Sequence, residues 1–537
     1  MRNILILIGY GVIFLTGAAG LIYQVTWQKY LSRMLGADSI ATAIILATFL
    51  GGLSLGYLLC GRFSTRIKHP LRGFALLEGT IGIWCLAFPQ FFAAIDGLTR
   101  SWSFSPPGWI ILQGGLCSAL LIGVPTLCMG GTVPLLTRGI SRNLQEATAV
   151  HATIYSINTA GAVLGALLAG FYLIPRFGLP VTVRGTALVN LGAALFFLLI
   201  AARVKPQPVE ENIPVSVDDT EQGARQFPAP VLYIIAFASG FYVMLLENVL
   251  IRFTNFSMGS SSYSFSLIVA VFILSIALGS FIVGRLPQVN ASLLFWNQLL
   301  IGVLLLLVYL SLDTWPYWAH VIRIGFQPNS VGFWQYYASV FIVLTGVLIL
   351  PVGCMGATIP LAFHELKREL HTVGKHSGQL LSWNTIGNLT GSILGGVVFY
   401  YFLNNQRIFL VAVLLAAYSV CLIARYLATR MYLFAGGLLA VLALCFMVFT
   451  PFYDQNHFMI GTFVKQQMLG YSLNGPNSFF ENSNRGSKLL FYDDDPVSTV
   501  GVLDSGVKPP FKKNNLSIMV NGKSDSATTG DIYTIKL

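Results

Sequence analysis

Residues 14–63, FLTGAAGLIYQVTWQKYLSRMLGADSIATAIILATFLGGLSLGYLLCGRF, return without a gap as residues 237–286, FASGFYVMLLENVLIRFTNFSMGSSSYSFSLIVAVFILSIALGSFIVGRL, at an offset of 223. Phe14, Gly17, Gly36, Ser39, Ile45, Ala47, Phe49, Leu55, Gly56, Gly61 and Arg62 recur as Phe237, Gly240, Gly259, Ser262, Ile268, Ala270, Phe272, Leu278, Gly279, Gly284 and Arg285. Further on, PTLCMGGTVPLL from Pro125 returns as PVGCMGATIPLA from Pro351, and SINTAGAVLG from Ser156 as SWNTIGNLTG from Ser382, both at an offset of 226. The shift of three is one difference in loop length. Glycines held in register over such a distance mark two copies of one unit, and in an apolar chain they predict a two-halved membrane bundle of transporter type.

Composition agrees. Charged residues make up 10% of the 537, against about 25% in an average soluble domain, and the mean hydropathy is +0.71. Apolar runs long enough to cross a bilayer fall near 3–23, 40–61, 73–96, 109–136, 147–174 and 180–201, then near 229–251, 262–284, 290–312, 333–361, 376–403 and 408–428, with one unpaired run at 431–450. An even number of spans per half makes the two repeats parallel, the relation between the halves of major facilitator transporters. The expected fold is therefore an all-α polytopic membrane protein, a major-facilitator-like 6+6 parallel-repeat bundle plus one extra span. Gly17, Ala18 and Ala19 mimic a signal-peptide cleavage site, but the internal copy at 229–251 argues that the first run stays.

Lys and Arg favour cytoplasmic loops. With the N-terminus inside, sixteen of them, from Arg2, Arg62 and Arg66 through Lys367 to Arg430, fall on the inner side and eight, including Arg176, Arg252 and Arg407, on the outer. The outer loops carry Trp102, Trp109, Trp315, Tyr317, Trp318 and Trp334, ring types suited to the headgroup level. A multi-pass protein of the cell's inner (plasma) membrane with a cytoplasmic N-terminus is expected. The net charge of +11 belongs to these loops, since after Thr450 eight basic and eight acidic residues cancel; the partner this implies is the lipid bilayer, not nucleic acid. All seven cysteines lie in apolar runs with no CxxC spacing, so neither a disulfide framework nor a metal site is expected.

Residues 1–202 thus form the first six-helix half, 203–228 (RVKPQPVEENIPVSVDDTEQGARQFP) a polar cytoplasmic linker, 229–430 the second half, 431–450 a thirteenth span and 451–537 a soluble tail. The tail reads as short strands at 488–495, 498–506 and 515–526, with Asn521-Gly522 as a hairpin signal. Asp493 to Asp495 read as a solvated turn between strands.

GLIYQVTWQKYLSRMLG, CMGGTVPLL, YSINTAGAVLGALLAGF, LLFYDDDPVSTVGVL and MVNGKSDSATTGD, in that order along nearly the whole chain, resemble the membrane-bound spermidine synthase-like proteins, which fuse a major-facilitator-like bundle to a polyamine aminopropyltransferase domain. The resemblance implies polyamine biosynthesis: transfer of an aminopropyl group from decarboxylated S-adenosylmethionine, the co-substrate, to putrescine, with carboxylates handling the amine proton. In the family a small β-segment precedes a Rossmann-like domain. Here the chain stops at Leu537 after the β-segment, with no GxG turn in the tail, so either a truncated chain, the favoured expectation, or a protein that has lost catalysis is expected, in both cases lacking catalytic and cofactor-binding residues. By the resemblance, Asp531 matches an acidic position near the start of the substrate site, and Gly522 to Asp525 the turn before it.

Polar residues at membrane depth are the remaining candidates, because burying them is costly and marks function or internal pairing. Gln24, Glu78, Asn158, Glu247, Asn384 and Asn388 qualify. Asn158 and Asn384 are repeat mates near mid-span, where a central cavity or an interhelical hydrogen bond would use them. Glu247 replaces Gln24 in the second copy; facing a cavity it would bind a cation or carry a proton, and at the interface it would pair with Arg252. Glu78, close to Arg72, suggests a salt bridge at the cytoplasmic end. The CMGGTVP and CMGATIP copies read as kinked packing joints or as moving gates.

Two functions follow: a membrane-anchored aminopropyltransferase-like enzyme, or a facilitator-like transporter of polyamines or other small cations. Thirteen spans place the tail outside the cytoplasm, away from a donor made in the cytosol, a conflict between the first reading and the topology.

Overall fold

The computed structural model describes every residue except 1, 36–38, 101–106, 204–226, 368–369, 428, 450–452, 508–513 and 529–537. The first half comprises α1 (Arg2–Leu35), α2 (Ser39–Ser64), α3 (Pro70–Arg100), α4 (Pro107–Ile140), α5 (Leu144–Leu168) and α6 (Ile174–Arg203). The second comprises α7 (Ala229–Met258), α8 (Ser262–Arg285), α9 (Ala291–Tyr309), a short α10 (Trp315–Ile324), α11 (Ser330–Leu366), α12 (Val373–Gly396) and α13 (Asn405–Ala424), and α14 (Arg430–Phe449) follows. Eleven stretches are long and apolar enough to cross a membrane. One of them, Leu144–Ala202, holds both α5 and α6, and Gly178, near the start of α6, breaks the helical run with φ of 72°. The long helix α12 is missing from the eleven because Lys375, His376, Gln379, Asn384 and Asn388 dilute its apolar residues.

The repeat is visible as duplicated packing. Helix α1 lies on α5 as α7 lies on α12, and α2 lies on α4 as α8 lies on α11. Each contact is made by glycines that admit a neighbouring backbone. Gly17 faces the Asn158 carbonyl and Gly240 the Asn384 carbonyl; Gly161 faces Phe14 and Gly387 faces Phe237; Gly56 faces Leu127 and Gly279 faces Gly353. Every partner is the repeat mate of its counterpart. Two seams join the halves, α2 against α12 and α5 against α8. They too exchange under the repeat: Gly61 meets Gly378 across one, and Gly284 meets Ala152 across the other. Two like-oriented halves with exchanged partners are what a parallel repeat requires, and the expected 6+6+1 architecture stands.

Prolines 125 and 134 lie inside α4, and prolines 351 and 360 inside α11. The CMGGTVP and CMGATIP copies therefore sit within continuous helices. Their glycines, Gly130 and Gly356, receive the backbone at Leu53 and Ile276, so the copies act as packing joints.

After α14 come α15 (Asn456–Met459), α16 (Pro476–Asn484) and an antiparallel meander, β1 (Lys488–Asp494), β2 (Thr499–Val507), β3 (Asn514–Val520) and β4 (Lys523–Ala527). Asn521 and Gly522 join β3 to β4 with φ of 48° and 80°, the positive pair a type I′ turn needs. The buried side of the sheet, through Met519, packs with Phe458 and Met459 on the second half. Among the described residues, the tail's contacts gather at one end of the bundle: the C-terminal turns of α7, the end of α9 at Tyr309, the helix α10 and the start of α13. Because α1 runs parallel to α7, the chain begins at the other end. These are called below the tail end and the N-terminal end.

Candidate functional site

The second half of α7 is packed on three sides. Gly240, Phe241 and Leu245 meet α12, and the Tyr242 hydroxyl donates to Gln298 of α9 (3.2 Å). Along α7 a stripe of half-exposed residues falls at helical spacing, Tyr233, Phe237, Met244, Glu247, Asn248 and Ile251, with Arg252 and Asn255 half-exposed nearer its C-terminal end. Tyr233 donates to Gln379 of α12 (2.8 Å) and Asn248 to the Ser392 carbonyl (3.4 Å). Glu247 stands in this stripe with no hydrogen-bond or ion-pair partner among the described residues.

Glu247 and Arg252 do not pair. Arg252 instead turns to the tail, donating to the carbonyls of Asp495 (2.6 Å) and Pro496 (2.5 Å) and lying 3.8 Å over the Tyr400 ring. Nor does Glu78 reach Arg72. It is 2% exposed and accepts from Asn190 of α6 at 2.6 Å, while Tyr23 of α1 donates to the same amide at 2.8 Å. The second half has its own buried network, in which Gln298 donates to Thr358 of α11 at 2.8 Å. These networks tie peripheral to central helices inside each half.

Asn384 donates to the Ala236 carbonyl (3.1 Å) and is buried, whereas its mate Asn158 is half-exposed, as are Asn388 and Gln24. The main chains of Asn158, Asn384 and Asn388 receive Gly17 of α1 and Gly240 of α7, so the asparagines serve helix packing inside each half as well as any passage. Asp531 lies outside the described residues, and so does most of the linker. Among the described residues no His/Cys/Asp/Glu cluster could hold a metal.

The expectation of a solvated turn at Asp493 to Asp495 needs correcting. Asp494 is 6% exposed and accepts from the main-chain N–H of Asn405 (3.1 Å), the Asn405 amide (2.7 Å), Thr499 (2.7 Å) and Tyr492 (3.1 Å). A carboxylate at the first turn of α13 satisfies an unpaired helix donor and suits the helix dipole. Burial pushes this carboxyl above its ordinary range, against the pull of Thr499, Asn405 and Arg252. Asp494→Ala leaves those donors without an acceptor inside a dry contact, a loss of about 2–4 kcal/mol in tail docking. Faster proteolytic release of the tail from the purified protein is the expected readout, and wild-type kinetics would contradict the assignment.

A second anchor lies beside it. Tyr317 and Trp315 are buried rather than spread in the headgroup layer, and Tyr317 packs on Phe479 of the tail. His320, 1% exposed, donates from Nδ1 to the Lys465 carbonyl (3.0 Å) and accepts at Nε2 from Ser472 (2.9 Å). Burial pulls its pKa down, partly offset by the Lys465 carbonyl. An undocked histidine titrates near ~6.5, so below that the undocked state binds more protons. This share of docking is therefore intact above about pH 6.5 and lost as pH falls through the lower docked value. Amide exchange in residues 465–472, corrected for intrinsic pH dependence, should rise on acidification in wild type and show no such step in His320→Gln.

Reading the sequence for Glu, Asn and Gln overlooked Asn190, Gln298, His151 and Asp494. Asn190 and Gln298 lie at mid-span and could have been found by the same test; Asp494 could not, because nothing local tells a buried aspartate from a solvated one.

No protein-family model matches the chain. Among curated proteins, it is 25% identical over 170 residues to polyamine aminopropyltransferase 1 of Streptomyces coelicolor, covering 31% of this chain and 29% of that protein. It is 27% identical over 183 residues to the polyamine aminopropyltransferase of Corynebacterium efficiens, covering 33% and 32%. The chain thus spans about a third of the length of these curated relatives. Among solved structures, a bacterial homologue of the iron transporter ferroportin in an outward-facing state aligns with a TM-score of 0.53 at 13% identity, over 78% of this chain and 98% of that one. The proton:xylose symporter XylE, of the major facilitator superfamily, aligns at 0.46 and 13% identity, over 83% and 95%. At such identities the likeness is one of fold, carried by the first of these; together with the parallel 6+6 repeat of the helices it makes the fold major-facilitator-like.

Proposed function

We propose that this chain is a facilitator-type transporter that carries a small organic cation, a polyamine or a related amine, between the two faces of the membrane. The observation that carries the reading is Glu247: a carboxylate at membrane depth, without a partner, on the half-exposed stripe of α7. An unpaired carboxylate there is costly unless a cation or a proton meets it. The two exchanged seams supply the mechanics, since halves joined through small residues can rock about a site between them. Purified protein in liposomes should take up labelled putrescine saturably; uptake no greater than that of protein-free liposomes, for putrescine and spermidine alike, would refute the reading.

The curated relatives favour a second reading, a membrane-anchored aminopropyltransferase whose bundle holds the enzyme at the bilayer. The tail docks at the end opposite the chain start, so a cytoplasmic N-terminus would put it beyond the reach of a cytosolic sulfonium donor. Formation of spermidine from putrescine and decarboxylated S-adenosylmethionine by this chain would favour that reading over transport.

A further inference from the structure

We propose that His151 is a proton-binding site that controls the closed N-terminal end of the bundle, an inference that rests on the rocking of the halves in the transport reading. His151 lies on α5 with 0% of its surface exposed. Its Nδ1 is 3.3 Å from the Thr137 hydroxyl of α4 and 3.2 Å from the Ser377 hydroxyl of α12. Thr137 already gives its proton to the Val133 carbonyl (2.9 Å), so at Nδ1 it can only accept; with the ring proton on Nδ1 no N–H is orphaned, whereas Ser377 donating to Nδ1 would leave a buried Nε2–H without an acceptor, which favours the Nδ1–H tautomer. That leaves Nε2 as a bare acceptor, and it is buried with no partner. An incoming proton has one place to go.

The location gives the proton leverage. His151 and Ser377 are repeat mates, 226 residues apart, meeting between the halves. Three more polar contacts bridge the halves close by: Ser54 to Ser382 (2.8 Å), Thr148 to His364 (3.1 Å) and Lys367 Nζ to the Leu144 carbonyl (2.8 Å). With Gly61 against Gly378 and Gly284 against Ala152, they hold this end shut. Phe363 of α11 stacks on the ring at 4.3 Å, and Tyr155 of α5 lies at 6.4 Å.

Among the described residues, no acidic group touches the ring to neutralise an imidazolium; Glu365 of α11 lies by Lys367. The groups presented to it are Thr137 from α4, Phe363 from α11, Ser377 from α12 and Tyr155 from its own helix, none of them acidic. Of the titratable groups nearby, His364 is engaged with Thr148 and Lys367 with Leu144, Arg138 adds a half-buried cation next to Thr137, and Arg285 at the end of α8 is exposed. Glu146 is taken up by the Arg142 amide at the start of α5 (2.6 Å), and Tyr10 of α1 lies near that same pair. A proton on Nε2 therefore puts an unpaired charge and an unpaired N–H donor into a dry contact, which the contact relieves by opening. Acid favours opening of the N-terminal end.

The test uses the whole chain in liposomes, its native cysteines replaced by alanine, with nitroxide labels at Gln145→Cys and Gln288→Cys, exposed positions of opposite halves at this end. Lowering pH from 8 to 5.5 should move population from the short to the long inter-label distance, by up to about tenfold per pH unit for one coupled proton. His151→Gln should abolish the pH response. Ser377→Ala, which leaves the ring in place, should keep the response with a displaced midpoint. Two distances whose ratio ignores pH, or a response unchanged in His151→Gln, would overturn the proton site and leave rocking intact. A single distance at every pH, with or without putrescine, would overturn both.

Discussion

Glu247→Gln should abolish amine flux while the protein stays folded. The substitution keeps the size and polarity of the side chain and removes only the charge, on a half-exposed stripe where no neighbour depends on it. Its repeat mate is Gln24, so glutamine is already accommodated at the equivalent place in the first half. Hydrogen bonds to a charged group contribute about 1.5–3 kcal/mol, against about 1 for neutral ones; losing the ion pair to an ammonium at membrane depth should lower uptake at least about tenfold. Gln24→Glu should be tolerated and leave flux in place. Uptake of labelled putrescine by proteoliposomes, with gel filtration as the folding control, separates the outcomes; full flux in Glu247→Gln would remove this residue from the passage.

Gly240→Leu should lose the folded protein, and Gly17→Leu should do the same at its symmetric place. A side chain at either position runs into a carbonyl, of Asn384 or of Asn158, and a backbone cannot rotate aside as a side chain can. Overpacking of a core costs about 1–3 kcal/mol when side chains absorb it, and here the helices must separate, so the upper end of that range applies. Gly437→Leu supplies the contrast, since nothing lies within 4 Å of its added Cβ on α14. Recovery of monodisperse protein in detergent should collapse for the variants at Gly17 and Gly240, which close the α1–α5 and α7–α12 contacts inside each half, and stay at wild-type level for the third. Equal recovery of all three would mean that the helix contacts inside each half are not closed by glycine.

The architecture was legible because symmetry and hydropathy are properties of sequence. Gly17 and Gly240, Gly56 and Gly279, stood in register before any contact was known, and each proved to face a repeat-mate partner. Spans five and six were separable because the run is broken near Gly178, the kink at the start of α6. The site was less legible, for a physical reason. Whether Glu247 pairs with Arg252 depends on where the tail lies, and the tail takes Arg252 through two carbonyls and the Tyr400 ring. Asp494 was misread because the partner that buries it, Asn405, sits 89 residues earlier, on α13. Glu78 was assigned a neighbour along the chain, while its partner, Asn190, comes from another helix. His151 escaped because its mate is a serine, and the repeat draws attention to residues that match.

The central claim, that like-oriented halves rock across two seams to move an amine, is tested most directly by locking one seam. Ser54 and Ser382 face each other across α2 and α12 with their hydroxyl oxygens 2.8 Å apart, so Ser54→Cys with Ser382→Cys, in a background without native cysteines, can be oxidised to a disulfide. Putrescine uptake should stop on oxidation and return on reduction. Unchanged uptake with the cross-link complete would contradict the account.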